Sequence, residues 1–342
     1  LSPDGLKAAY IKDFNLWLRD IESGRDIQLT RDGVEDYGYA TNNAGWTKSN
    51  LPVLLWSPDS KKIATFRHDG RYVGEMYLAT TRVGHPELEK WKYPLPGDSL
   101  AFMIERLVID VENADIVFLD MEPDQHRSTT TDHIAGRDGT FLDVEWSLNS
   151  DNLSFVSTSR DHKHEIFRLA DPVSGVVKDV FDETEETFFE SGYNARNWRL
   201  IEESNEAIWY SQRDNWGHLF LYDLLTGEMK NQITSGDWKV LDLKRVDRDE
   251  RRLYFTACGK EPGDPYFQYL YSINMDGSDL KLHTPDSANH VVYLSEDGSS
   301  FVDYFSTPVA PPITMVRYLD DYEPFEIERA NISRLIESGW VP

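Results

Sequence analysis

The chain has 342 residues, of which 40% are hydrophobic and 13% aromatic, so it can bury one large all-β or repeat core and is not disordered in character. Its formal net charge of −25 disfavours nucleic acid and anionic membranes as partners. The acidic charge either attracts cationic partners or serves only to keep a large surface soluble. A single cysteine, Cys258, excludes an internal disulfide framework and a multi-thiolate metal site, and no apolar run approaches the roughly 18 residues of a membrane helix.

Two kinds of turn alternate along the chain from its first residues. The first kind resembles SPDG and precedes a strand; it occurs at residues 2–5, 56–60, 146–150, 247–250 and 295–298. The second kind resembles DxxTG and closes a hairpin, because Asp accepts hydrogen bonds from turn amides and Gly adopts positive φ; it occurs at residues 20–24, 171–175, 223–227 and, shortened, 274–277. Weaker hairpin tips lie at residues 81–84 and 122–124.

These turns repeat at intervals of about fifty residues, as the glycines at positions 175, 227 and 277 show. Each interval holds four predicted strands, which is typical of a β-propeller blade. The sequence therefore predicts an all-β fold, a β-propeller of four-stranded antiparallel blades. About seven blades are visible, with tips near 24, 84, 124, 175, 227, 277 and 321. The alternative is a pair of β-sandwiches, which the regular spacing disfavours.

No motif predicts a catalytic centre within the chain. It contains neither the G-x-S-x-G elbow of a serine hydrolase nor an HExxH zinc motif, a phosphate loop or a dinucleotide fingerprint. Residues 162–165 (HKHE) have the wrong spacing for zinc, and residues 182–186 (DETEE) lack the pattern of a calcium loop. We expect no catalytic residue, no metal and no cofactor.

Four segments carry a resemblance to a known family: residues 1–30, residues 54–60 (LLWSPDS), residues 93–97 (YPLPG) and residues 211–223 (SQRDNWGHLFLYD). In this order they resemble the N-terminal propeller of dipeptidyl peptidase IV and its bacterial relatives, within the prolyl oligopeptidase superfamily of serine peptidases. The resemblance implies eight blades in the full protein, followed by an α/β-hydrolase domain that carries the Ser, Asp and His. We therefore expect residues 1–342 to be a single propeller domain, truncated at both ends and without its hydrolase domain.

The resemblance also implies a role in substrate binding. Family members that remove dipeptides hold the substrate's ammonium with two adjacent glutamates, but residues 36–46 (DYGYATNNAGW), the stretch we match to that site, contain no such pair. Either the specificity is altered or the acid comes from elsewhere. Asn42 and Asn43 are candidates to accept hydrogen bonds from the ammonium, together with Asp36 and Tyr39, unless this stretch is an ordinary surface loop.

Arg213 is a further candidate contact, with the alternative that it is a loop residue paired to a neighbouring carboxylate. His218 is expected to be a hydrogen-bonded residue between blades rather than a ligand.

The implied partners are peptides with a free N-terminus and the hydrolase domain of the same polypeptide. A homodimer is an open alternative. We expect no binding of nucleic acid and no membrane span in this segment. Two other functions remain in view: a stand-alone propeller that binds protein or peptide, and a propeller enzyme with a metal or acid pair in its channel. Bacterial relatives are often exported, which favours the periplasm.

Overall fold

The computed structural model describes residues 1–41, 51–126, 134–135, 139–189, 196–319 and 322–341. In these residues it places 26 β-strands, one 3-10 helix (Glu202–Ser204) and one short α-helix, α1 (Ser333–Glu337). None of the described helices is long and apolar enough to cross a membrane. Contacts divide the chain into two compact units: unit 1 is Leu1–Asn194 with Leu224–Gly227, and unit 2 is Ala195–Asp223 with Glu228–Pro342. The single-domain interpretation stays a prediction.

Unit 1 holds three larger antiparallel sheets and one inserted hairpin. The first sheet consists of β1 (Lys7–Lys12), β2 (Asn15–Asp20) and β3 (Asp26–Gln28). The second starts with β4 (Leu55–Trp56) and β5 (Lys62–Asp69), after which β6 (Glu75–Ala79) and β7 (Leu88–Lys92) form a separate two-stranded sheet. It continues with β8 (Met103–Asp110), whose free edge is shared by β9 (Asp115–Phe118) and β10 (Asp124–Gln125). The third sheet consists of β11 (Val144–Trp146), β12 (Leu153–Thr158), β13 (His164–Ala170) and β14 (Val177–Thr184).

Unit 2 holds three four-stranded sheets in which each strand pairs antiparallel with its sequence neighbour. The fourth sheet consists of β15 (Arg199–Ile201), β16 (Glu206–Ser211), β17 (His218–Asp223) and β18 (Met229–Gln232). The fifth consists of β19 (Lys239–Asp247), β20 (Arg252–Cys258), β21 (Gln268–Asn274) and β22 (Lys281–Leu282). The sixth consists of β23 (Asn289–Leu294), β24 (Ser300–Thr307), β25 (Ala310–Tyr318) and β26 (Phe325–Arg329).

Burial explains why the sequence shows no simple alternation of apolar and polar residues in the middle strands. Every residue of β12 and of β16 is buried, so both faces of these strands are covered. The outermost strands differ: β26 is exposed along its whole length and β14 over much of it. The predicted all-β fold of four-stranded antiparallel sheets is confirmed.

The SPDG-like turn has the same internal bonding at four of its five positions; the turn at residues 247–250 has no serine and is bonded instead from Glu250 N to Asp247 Oδ1 (3.0 Å). Ser57 Oγ donates to Asp59 Oδ1 (2.6 Å), Asp59 Oδ1 accepts from Lys61 N (3.1 Å), and Lys62 N donates back to Ser57 Oγ (2.8 Å). The same Ser–acceptor bond recurs at Ser2–Asp4, Ser147–Asn149 and Ser295–Asp297. Backbone amides and hydroxyls that bond the carboxylate lower the pKa of Asp297 to about 2.

The DxxTG-like tip at residues 171–175 closes its hairpin and also contacts the preceding sheet. Asp171 Oδ1 accepts from Val173 N (2.8 Å), and Gly175 N donates to Asp171 O (2.9 Å). Gly175 has φ +77°, and a Cβ there would lie 2.5 Å from the carbonyl oxygen of Phe118. Glycine is needed here by both conformation and space.

The weaker predicted tips turn out to differ from one another. Residues 81–84 join β6 to β7 in the inserted two-stranded sheet, whereas residues 122–124 lead into the short strand β10 rather than joining two full strands. The tip predicted near 321 lies outside the described residues. The described part of the chain thus contains seven sheets, one of which is the inserted hairpin.

Antiparallel order gives each larger sheet two distinct ends. The SPDG-like turn and the hairpin tip lie at one end. The other end, which we call the loop end, holds the loop between the two middle strands of a four-stranded sheet; in the second sheet this is the connection between β5 and β8, and in the three-stranded first sheet it is the loop between β1 and β2. The chain also leaves the outermost strand at the loop end, so the predicted site residues that follow β3 lie there.

Candidate functional site

Two adjacent acidic residues form the tip of a tight turn at the loop end of the first sheet. Val34 and Tyr37 exchange both backbone hydrogen bonds, each 2.9 Å long, so that Glu35 and Asp36 are the central pair. Asp36 has φ +59°, and its carbonyl accepts from Gly70 N (2.8 Å). The turn therefore places two consecutive acidic residues on a backbone fixed by hydrogen bonds.

The two carboxylates differ in their partners. Asp36 Oδ2 lies 3.8 Å from Lys92 Nζ on β7. Glu35 is exposed and its side chain makes no hydrogen bond or ion pair with any residue that the structure describes. The turn therefore presents one open carboxylate beside one loosely paired carboxylate.

Glu35 lies one residue before residues 36–46, the stretch matched to the ammonium site, so only Asp36 of this pair was a predicted site residue. The signal was present: Glu35 and Asp36 are adjacent acids that follow a predicted strand. The sequence alone did not predict the turn that has Glu35 and Asp36 as its two central residues.

Tyr39, one of the predicted site residues, lies in the core behind this turn. Only 1% of its surface is exposed, and its hydroxyl donates to Asp32 Oδ1 (2.8 Å). Burial, followed by the bond to Asp32, raises the pKa of Tyr39 to about 12. Tyr39 thus supports the turn from beneath, and a direct substrate contact by this residue stays a prediction.

The nearby cations are held by other groups. Arg67 Nε donates to Glu105 Oε2 (2.7 Å), and Arg67 Nη1 bonds Asp32 Oδ2 (3.2 Å). Arg71 pairs with Asp69 (2.7 Å). Lys90 bonds Glu75 (3.1 Å), which is the main cause of its raised pKa, and Glu35 adds a smaller electrostatic contribution. Because these cations already have carboxylate partners, Glu35 keeps most of its charge available to a cation from outside.

Arg213, in unit 2, is anchored inside its own sheet. Its Nη2 donates to the hydroxyl of Tyr222 (2.8 Å), its Nε donates to Ser211 Oγ (3.0 Å), and its guanidinium lies 4.4 Å from the ring centre of Phe220. Whether it contacts substrate stays a prediction. Asn42 and Asn43 lie outside the described residues, and their predicted role stays a prediction as well.

His218 is a hydrogen-bonded histidine, as predicted. Its Nδ1 lies 3.0 Å from Thr234 Oγ1 and its Nε2 lies 2.9 Å from Gly236 O. Among the residues that the structure describes, no group of three His, Cys, Asp or Glu side chains could hold a metal ion.

Known proteins resemble the chain over nearly its whole length. A family model described as the dipeptidyl peptidase IV (DPP IV) N-terminal region matches residues 1–312. Dipeptidyl-aminopeptidase B of Aspergillus niger is 24% identical over 368 residues, covering 100% of this chain and 40% of the relative. Other curated relatives are covered over 35% and 39% of their length, so the chain spans well under half of the proteins it matches.

One solved structure supports the fold. The crystal structure of Porphyromonas gingivalis dipeptidyl peptidase 4 superposes with a TM-score of 0.78 at 18% sequence identity, over 99% of this chain and 46% of that one. The predicted β-propeller class is thereby confirmed.

Proposed function

The chain belongs to the family of dipeptidyl peptidase IV N-terminal regions, and on that premise we propose that it is the non-catalytic domain of a dipeptidyl peptidase IV-like serine peptidase. In this proposal it restricts access to the catalytic centre and binds the free amino terminus of the peptide. The cleavage itself belongs to a hydrolase domain of the same polypeptide. The observation that carries the proposal is the family match over residues 1–312, in a chain that covers only 32–40% of the length of its curated relatives.

The turn formed by Glu35 and Asp36 supplies the groups that this role needs. A peptide ammonium carries one positive charge and three N–H donors, and carboxylates accept charge-assisted hydrogen bonds that are roughly twice as strong as neutral ones. Two carboxylates on a short turn hold the ammonium at a fixed position, which sets the distance to the bond that is cleaved. We assign the ammonium contact to Glu35 and Asp36 and keep Asn42 and Asn43 as the competing assignment.

The test compares charge-neutralising variants of the full-length protein on alanyl-prolyl p-nitroanilide. We expect Glu35→Gln with Asp36→Asn to raise KM by about tenfold or more, because each lost charge-assisted bond costs about 1.5–3 kcal/mol. Glu22→Gln is the matched control, since Glu22 is an exposed acid on the opposite, hairpin-tip end of the same sheet. KM should not change in that variant.

Three outcomes are informative. An unchanged KM in the Glu35/Asp36 variant together with a raised KM in Asn42→Ala/Asn43→Ala moves the site to the asparagines. If neither pair matters, the proposed ammonium site is wrong. Failure of the full-length protein to release the chromophore from any dipeptidyl substrate contradicts the proposed function itself.

A further inference from the structure

A cavity of about 470 Å³ opens at the loop end of the second and third sheets in unit 1. Its walls are the start of β8, the strand β10, the end of β12 and the start of β13. This volume lies within the range of about 300–1,000 Å³ that is usual for small-molecule sites. The cavity contains none of the residues assigned above to the peptide amino terminus.

Arg160 is the cation of this cavity that has no carboxylate partner among the described residues. Its two terminal nitrogens donate to backbone carbonyls of one turn, those of Leu95 (3.2 Å) and Asp98. This turn, residues 95–98, begins within the YPLPG motif and is closed by the bond from Asp98 N to Leu95 O (3.1 Å). The guanidinium is therefore fixed in place, while several of its N–H donors have no partner among the residues that the structure describes. Because the Arg160 side chain is already ordered, binding a ligand would cost little of its conformational entropy.

The other charged groups of the wall are mostly neutralised. Arg168 bonds Asp179 (2.7 Å), and His164 lies 2.9 Å from Asp182. Asp124 accepts from the buried Arg106 (2.6 Å).

Glu122 is the exception among the acids. It is exposed, and its side chain makes no hydrogen bond or ion pair with any described residue. The cavity thus offers one open cation, Arg160, and one open anion, Glu122.

The remaining lining suits a peptide. The side-chain amide of Gln125 is half-buried, makes no hydrogen bond within the described part of the chain, and can both donate and accept. Leu100, Met103 and Ile166 give the cavity apolar wall area. A multiply charged anion is disfavoured by Glu122 and by the net charge of −25, whereas a ligand with one charge of each sign is matched.

We propose that this cavity binds a short zwitterionic peptide, with its carboxylate on Arg160, its ammonium on Glu122 and its backbone against Gln125. The inference rests on the proposed function, because the reaction of a dipeptidyl peptidase releases such a ligand: a free dipeptide. The cavity is then a site for the product, separate from the Glu35–Asp36 turn.

The experiment measures binding of four forms of one dipeptide, alanyl-leucine, to the full-length protein by calorimetry. The forms are the free dipeptide, its C-terminal amide, its N-acetyl derivative and the doubly blocked compound. We expect each blocked end to weaken binding by about tenfold. Arg160→Gln should remove the preference for the free carboxylate, and Glu122→Gln should remove the preference for the free amine.

Matched controls come from the hairpin-tip end of the first sheet. Arg25→Gln and Glu22→Gln neutralise exposed charges there and should keep both preferences. Because Arg160 also holds the 95–98 turn, Arg160→Lys is measured beside it, and it should restore part of the carboxylate preference. The blocked ligands test the idea without any substitution, so a folding defect in a variant leaves the test intact.

The proposal fails if blocking the carboxylate does not weaken binding, or if both preferences survive in Arg160→Gln and Glu122→Gln. Hydrolysis of alanyl-prolyl p-nitroanilide by the unmodified protein is measured in parallel. Hydrolysis without end-dependent binding overturns this inference and leaves the proposed function standing. End-dependent binding without hydrolysis supports the cavity as a peptide site and overturns the proposed function.

Discussion

At the scale of single residues, the buried histidine His68 on β5 couples stability to pH. Its Nδ1 lies 2.9 Å from Nδ1 of His126, and its Nε2 has no hydrogen-bond partner among the described residues. Burial lowers the pKa of His68 from 6.5 to about 4. Below pH 6.5 the imidazole of His68 binds a proton in the unfolded chain but stays neutral in the folded chain. The free energy of unfolding therefore falls as the pH drops from 6.5 to about 4.

We expect this residue to contribute about 3 kcal/mol to the loss of unfolding free energy between pH 7 and pH 4, because burial lowers its pKa from 6.5 to about 4. His68→Asn keeps a polar atom near the Nδ1 position and removes the titration. Urea denaturation at both pH values should therefore show a smaller acid-induced loss for the variant. Equal losses for the two proteins would exclude His68 as their source.

Residue chemistry also shows what the sequence could and could not predict about the site. Asp36 and Tyr39 were recognised as candidates, and the hydrogen-bonded His218 was predicted correctly. The sequence could not show that Arg67, from a different sheet, neutralises Asp32 beneath the turn, because that contact joins residues 35 positions apart. It also could not show that Glu35 is left open.

At the scale of the structural element, the hairpin tips offer a matched pair of glycines. Gly175 and Gly24 both have positive φ, but a Cβ at Gly24 meets nothing within 4 Å, whereas one at Gly175 meets Phe118 O at 2.5 Å. We expect Gly24→Ala to cost about 1 kcal/mol of unfolding free energy from the backbone alone. Gly175→Ala should cost about 1–3 kcal/mol more, because the preceding sheet must shift.

Thermal or urea unfolding of the two variants measures the difference. Equal costs would mean that the tip does not press against the neighbouring sheet. The comparison therefore tests sheet-to-sheet contact with the conformational cost of glycine replacement held constant.

The elements also explain which parts of the fold the sequence predicted. The SPDG-like and DxxTG-like turns are bonded within about six residues, so their local pattern is sufficient to place the strands beside them. The hairpin of β6 and β7 is also a local antiparallel pair, yet it forms a sheet of its own. The hairpin is excluded from the second sheet because β5 pairs directly with β8, on the other side of the insertion. A local sequence pattern does not show such a pairing between distant strands.

At the scale of the whole molecule, the net charge of −25 should act on the rate of substrate capture. A cationic peptide is drawn to an acidic protein over distances comparable to the Debye length, which falls from about 30 Å at 0.01 M salt to about 3 Å at 1 M. We expect kcat/KM of the full-length protein for alanyl-prolyl p-nitroanilide to fall several-fold across that range at pH 7.

The same series at pH 9.5 is the control. The α-amino group, with a pKa near 7.7–8.0, is then neutral, and the salt dependence should shrink. A salt effect of equal size at both pH values would show that it does not act through the substrate's charge.

The exposed outer strand β26 has a consequence for solubility. Phe325 and Ile327 are about half exposed, and they stand on a strand whose free edge could pair with another chain. Glu326 and Glu328 alternate with them, and Arg329, at the end of the strand, pairs with Glu326 (2.8 Å). Like charges brought into register would repel a second copy of this strand, so the edge resists the edge-to-edge stacking from which aggregates grow.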